Sequence, residues 1–195
     1  MESNMSTQII LVTGGARSGK SSFAEQYAAA SPQPVAYIAT AQIYDDEMEE
    51  RVKLHQQRRP GHWLTWEAPY NAHEALVEAA KEAETILFDC LTLYTTNLML
   101  SPAAPADRQE RFRYVHDQIE MLLSSAAATG KRVIFVTNEV GLGIVPENPL
   151  AREYRDLAGT VNQKVAAIAG EVYVSVCGIT VDIKRLASTG GEKYR

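Results

Sequence analysis

Residues 9–22 read Ile-Ile-Leu-Val-Thr-Gly-Gly-Ala-Arg-Ser-Gly-Lys-Ser-Ser. An apolar, β-type run at 9–12 passes directly into Gly14-x-x-x-x-Gly19-Lys20-Ser21. This is the P-loop pattern in the context it requires, a strand before it and a helix after it. Glycine lets the backbone curl there, so that successive N–H groups turn inward around phosphate oxygens. A helix opening near Lys20 adds its positive dipole end. The Lys20 ammonium can reach β- and γ-phosphates, and the Ser21 hydroxyl can ligate Mg²⁺. Gly14, Gly15, Ala16, Arg17, Ser18, Gly19, Lys20 and Ser21 are therefore the candidate phosphate-binding residues. A nucleoside triphosphate is the expected ligand, and the reaction must be read elsewhere in the chain.

A chain of 195 residues suits a single α/β domain over 1–195, with polar tails expected at 1–7 and 188–195. The net charge of −5 gives no reason to expect nucleic acid as a partner. The basic cluster Arg51, Lys53, Arg58 and Arg59 suits anionic small molecules instead. No apolar run approaches the ~18 residues of a membrane span. The N-terminus is polar and acidic, unlike a signal or transit peptide. Cys90 and Cys177 lie far apart without metal-ligand spacing, so a reducing cytoplasm is expected, with both cysteines packed inside.

Short apolar runs predict strands at 8–13, 35–40, 85–89, 132–137 and 171–176, with a weaker sixth at 180–184. Helical patterns fall at 21–30, 45–57, 72–82, 107–128 and 150–169. This alternation predicts an α/β P-loop NTPase fold, a doubly wound and mostly parallel sheet with helices on both faces. Such sheets bind ligands beyond the C-terminal ends of their strands. The P-loop, Thr40-Ala41-Gln42, Asp89 and Asn138-Glu139 all fall at such ends.

Asp89 closes an apolar strand, where P-loop enzymes place an acidic residue that organises Mg²⁺ or its water. Ser21 and Asp89 are thus the candidate metal residues. The 45–57 stretch has an acidic start and a basic end, matching the helix dipole. Met48, Arg51, Val52 and His55 share one of its faces. A neutral imidazole there could attack phosphorus, with Arg51, Arg58 and Arg59 holding the charge. From spacing alone, a solvated charged helix with a packed histidine is the plainer reading. His62 reads as a loop residue, and His73 and His116 as surface or cap residues. Trp63 and Trp66 read as core or wall. Glu67 is either simply exposed or an acceptor for a base or ribose.

Several segments together resemble one family. They are the P-loop, Tyr37-Ile-Ala-Thr-Ala-Gln42, Asp45-Asp-Glu-Met48, Arg51-Val-Lys-Leu-His55, and Arg59-Pro with Trp63. Asp89-Cys-Leu-Thr92, Thr96-Asn97-Leu98, Thr137-Asn-Glu-Val-Gly141, Gly143-Ile-Val-Pro146, Arg155-Asp-Leu-Ala-Gly159 and Val161-Asn162-Gln163 follow in order. In these the chain is similar to the bifunctional adenosylcobinamide kinase/adenosylcobinamide-phosphate guanylyltransferases of cobalamin synthesis.

The resemblance implies a RecA-like fold, a homo-trimer, and two reactions using ATP or GTP with Mg²⁺. The first phosphorylates adenosylcobinamide. The second carries GMP from GTP through a histidine to adenosylcobinamide phosphate. It implies His55 as nucleophile, supported by Lys20 and Arg51. It implies Thr40, Ala41 and Gln42 as one nucleotide-contacting turn and Gln56, Gln57, Arg58 and Arg59 as a second, with Glu67 and Asp89 as further contacts. Ala41 stands where a serine could offer a hydroxyl, leaving only backbone contact there. Leu54 and Gln56 flank His55, so no second histidine can take its place. A kinase with a structural His55 and a nucleotide-driven switch are the competing expectations.

Overall fold

Unbroken apolar runs form strands covered on both faces. The computed structural model, which describes residues 8–42, 50 and 59–187, has one seven-stranded sheet, with such runs inside it and two partly exposed strands at its edges. The seven are β1 (Gln8–Gly14), β2 (Val35–Ala39), β3 (Leu64–Glu67), β4 (Thr85–Asp89), β5 (Arg132–Val136), β6 (Glu171–Val176) and β7 (Ile179–Asp182). Their order across the sheet is β3-β2-β4-β5-β1-β6-β7. Every neighbouring pair is parallel except β6 and β7.

Alternation along each strand divides the core into two layers. Ile9, Leu11, Phe88, Val133 and Phe135 face one layer, where Phe88 meets Tyr94 edge-on at 5.7 Å between centroids. Ile10, Val12, Leu87, Ile134 and Val136 face the other. The first layer is closed by α2 (Ala72–Glu82), α3 (Leu91–Leu100), α4 (Arg108–Ala128) and α5 (Pro149–Ile168). The second is covered by α1 (Lys20–Ala29). A short helix, α6 (Ile183–Leu186), follows β7.

The starts of α4 and α5 follow from capping chemistry. Asp107 accepts from the Gln109 and Glu110 N–H groups at the start of α4. Asn148 does the same for Leu150 and Ala151, with Pro149 opening α5. The two helices are tied by Arg111, whose Nε and Nη2 each donate to Glu153 at 2.8 Å.

The expected doubly wound, mostly parallel sheet is present, with four corrections to the sequence reading. The strand at 64–67 and the helix at 91–100 were not expected. The predicted sixth strand starts one residue earlier, pairs antiparallel, and ends at Asp182, whose side chain caps Lys184 and Arg185 and turns the chain into α6. Cys90 is buried as expected, but Cys177 is exposed. Cys177 (φ 52°) and Gly178 (φ 81°) form the two-residue turn between β6 and β7. Positive φ at both central residues matches the right-handed strand twist, which puts the cysteine at a hairpin tip. The helix expected at 45–57 and both expected tails lie outside the described residues.

Candidate active site at the C-terminal edge of the sheet

Register places the site before any side chain is considered. Glu67 is level with Ala39, Ala39 with Asp89, Asp89 with Val136, and Val136 with Val12. At about 4.8 Å per strand, this row runs roughly 20 Å from Glu67 to the root of the P-loop. Main-chain bonds join the segments just beyond it. Thr40 N donates to Asp89 O at 3.2 Å, Thr137 N to Val12 O at 2.9 Å, and Glu139 N to Gly14 O at 3.1 Å.

At the β1 end, the loop from Gly14 to Lys20 depends on close backbone approaches. A Cβ at Gly14 would lie 2.5 Å from both Ser175 O and Ser18 Oγ. Gly19 has φ 95° and lies against Gly178, where a Cβ would stand 3.1 Å from the Gly178 Cα. Gly178 N also donates to Ser18 O at 2.9 Å, so the β6–β7 turn supports the loop from below. Gly15, Ala16 and Arg17 are exposed on its outer side. Helix α1 begins at Gly19 with no side-chain cap, so its first N–H groups and its dipole are presented to whatever the loop encloses. Lys20 Nζ donates to Gly15 O at 3.1 Å, across the mouth of the loop. Ser21 follows, half-buried, in the first turn.

At the β4 end, Asp89 is half-buried and its Oδ2 accepts from the Tyr37 hydroxyl at 2.9 Å. Burial, reinforced by the Asp89 charge, pushes the Tyr37 phenol well above its ordinary pKa, so it remains a donor. The Arg59 guanidinium lies 3.5 Å above the Tyr37 ring centroid. Burial, and then the charge of Asp89, raise the Cys90 thiol to about 12. Lys20 is close enough to pull that value down. Cys90 is therefore a packed, inert thiol at neutral pH.

Two polar networks hold the loops between these ends. Thr40 is fully buried; its hydroxyl donates to Cys90 O at 2.9 Å and accepts from Cys90 N at 2.8 Å. Buried Asn97 donates to Thr40 O at 2.7 Å and to Pro69 O at 3.1 Å. The Thr40 side chain thus braces the turn, and Ala41 and Gln42 form its more open part. In the second network, Thr92 Oγ1 accepts from Asn138 N at 2.7 Å. Thr137 Oγ1 donates to Asn162 Oδ1 at 2.7 Å, and Asn162 Nδ2 donates to Asn138 O at 3.1 Å. Glu139 turns back to accept from Gly141 N at 2.6 Å.

The structure therefore brings Gly14–Ser21, Thr40–Gln42, Arg59, Glu67 and Asp89 to one sheet edge. His55, Arg51, Gln56, Gln57 and Arg58 lie outside the described residues. Sequence reasoning assigned no part to Tyr37, Thr92, Asn97 or Asn162. The only local signal was a polar group inside or beside an apolar run. His116 bridges two helices, its Nε2 standing 3.1 Å from Thr160 Oγ1, and is not merely a surface residue. Trp63 is buried and Trp66 packs on the core, as expected.

This cradle, set on a mostly parallel sheet, defines a P-loop nucleotide-binding domain of RecA-like architecture. The fold is shared by a type III secretion system ATPase from pathogenic bacteria, with TM-score 0.59 and 13% identity over 94% of this chain and 60% of that one. Residues 10–183 match the family model described as cobinamide kinase / cobinamide phosphate guanyltransferase, and the chain belongs to that family. It is 45% identical to the bifunctional adenosylcobalamin biosynthesis protein CobU of Salmonella typhimurium, over 90% of this chain and 99% of that protein. It is 42% identical to CobP of Pseudomonas aeruginosa, over 89% and 96% respectively. Membership makes it a bifunctional kinase and nucleotidyltransferase of cobalamin synthesis.

Proposed function

We propose that the enzyme first phosphorylates the aminopropanol hydroxyl of adenosylcobinamide with ATP or GTP. It then moves GMP from GTP through His55 to adenosylcobinamide phosphate, giving adenosylcobinamide-GDP and pyrophosphate. The observation that carries this reading is the convergence of a complete phosphate cradle and Asp89 on one sheet edge, in a chain of this family. The span from the P-loop to Glu67 suits an extended nucleoside triphosphate, with phosphates on the loop and base or ribose toward Glu67.

In the kinase step the substrate hydroxyl attacks the γ-phosphorus and the nucleoside diphosphate leaves. Lys20 and the loop N–H groups follow the charge as it moves onto the bridging oxygen. In the second step an imidazole nitrogen of His55 attacks the α-phosphorus of GTP, and the bond to pyrophosphate breaks. A phosphate oxygen of adenosylcobinamide phosphate then attacks the same phosphorus and releases the histidine. Two in-line displacements replace one difficult transfer. Arg51 and Arg59 offset the charge of the phosphates.

The site's oxygen donors fit Mg²⁺. Ser21 offers a hydroxyl and Asp89 a carboxylate, and no cluster of three or more His, Cys, Asp or Glu forms a metal cage among the described residues. Mg²⁺ on nucleotides takes few protein oxygens and shares the rest of its shell between phosphates and water. Bound there, it would neutralise the triphosphate and ease departure of pyrophosphate.

We further propose that the enzyme works as a homo-trimer in the cytoplasm. Leu142, Ile144, Val176, Ile179 and Leu186 are exposed apolar side chains on the single chain, which supports self-association. Among the described residues no helix is long and apolar enough to cross a membrane. Separate assays of the two steps test the functional reading. His55→Ala should keep ATP-dependent formation of adenosylcobinamide phosphate and lose formation of adenosylcobinamide-GDP. Loss of neither activity would refute the assignment of the second step.

A further inference from the structure

Tyr37 stands apart from the other residues of its layer. It is only 3% exposed and packs with Ile10, Val12, Trp63 and Leu87, where a phenylalanine or leucine would fill the same space. A hydroxyl in such a place is unfavourable unless it is hydrogen-bonded. Its partner is Asp89 Oδ2 at 2.9 Å, the carboxylate suited to the cation side of the site. The face of the same ring carries the Arg59 guanidinium at 3.5 Å, the cation suited to the phosphate side.

We infer that Tyr37 is a positioning residue for both transfers: its hydroxyl orients the Asp89 carboxylate and its ring seats Arg59, so one buried side chain sets the acidic and basic arms of the site relative to each other. The inference rests on the proposed nucleotide site but not on the identity of the acceptor. β2 is rigid here, paired on both sides with β3 and β4, so the phenol oxygen is a fixed point. A carboxylate held by a fixed donor keeps one orientation, and a cation or its water shell then meets an oxygen already in place. The ring face is equally fixed, and the planar guanidinium lying on it loses little freedom when it engages a phosphate. Both arms therefore depend on Tyr37, one through its hydroxyl and one through its ring, although it need touch neither metal nor nucleotide.

The two functions of the side chain can be separated. Tyr37→Phe removes the hydroxyl and keeps the ring, and Tyr37→Leu removes both. The readout is equilibrium binding of a fluorescent, non-hydrolysable GTP analogue to the full chain across a Mg²⁺ titration, with thermal melts to verify folding. Tyr37→Phe should raise the Mg²⁺ concentration for half-maximal binding about 10-fold and leave affinity at saturating Mg²⁺ near wild type. Tyr37→Leu should also weaken affinity at saturating Mg²⁺, as Arg59→Ala does, and adding Arg59→Ala to it should cost little more. A folded Tyr37→Phe with the wild-type Mg²⁺ dependence, or additive effects of Tyr37→Leu and Arg59→Ala, would overturn the proposal. A wild-type chain that binds the analogue but makes neither corrinoid product would overturn the proposed function alone, and the titration would still decide the part played by Tyr37.

Discussion

Asn97 is 2% exposed, and it gives both hydrogens of its amide to main-chain oxygens, Thr40 O from the turn after β2 and Pro69 O from the segment after β3. Two loops of the site therefore hang on one side chain in α3. Asn97→Ala should lower stability by about 2 kcal/mol, because a buried carbonyl and a part-buried one lose their donor. It should also weaken nucleotide binding several-fold by loosening the Thr40–Gln42 turn. Asn97→Asp should not restore either property, since an ionised carboxylate donates nothing. Urea unfolding and nucleotide titration read the two effects separately. This residue also marks the limit of reading at the residue scale. The P-loop was legible because all its parts lie within eight positions. Tyr37 and Asn97 were visible as letters, but their partners lie 52 and 57 positions away, and only the assembled sheet brings them together.

Elements were legible where a single periodicity governs them. β4, β6 and α2 fall on their expected bounds, and α1, α4 and α5 within one residue of theirs. The missed elements each break the pattern for a physical reason. Helix α3 buries Leu91, Tyr94, Thr95, Asn97, Leu98 and Met99, which point to more than one side of it, so no polar face announces a helix. β3 is a four-residue edge strand whose exposed positions, Thr65 and Glu67, alternate with the half-buried Leu64 and Trp66. Missing it left Glu67 without a place, and pairing with β2 supplies one. The turn at Cys177-Gly178 hid behind a cysteine, a residue more often packed than exposed.

Across the whole molecule, several acidic protons are held by burial. Cys90 is raised from 9.0 to about 12, and Tyr94 and Tyr154 from 10.0 to about 12, in each case first by burial. In the unfolded chain these groups ionise from about pH 9 upward, while the folded chain keeps their protons. The folded state then binds more protons than the unfolded one, so stability falls as pH rises. Urea denaturation should show a progressive loss of stability from about pH 9 toward pH 12. Tyr94→Phe should make that decline shallower, and an unchanged slope would contradict the assignment. The same interior gives the sheet edge a stable frame for the proposed chemistry at the γ- and α-phosphorus atoms. That division of labour between a fixed cradle and a histidine nucleophile is the central claim, and intact mass after incubation with GTP and Mg²⁺ tests it most directly. The account predicts an acid-labile GMP adduct on the wild-type chain and none on His55→Ala. An adduct that persists on His55→Ala, or a wild-type chain that forms product without ever carrying GMP, would contradict it.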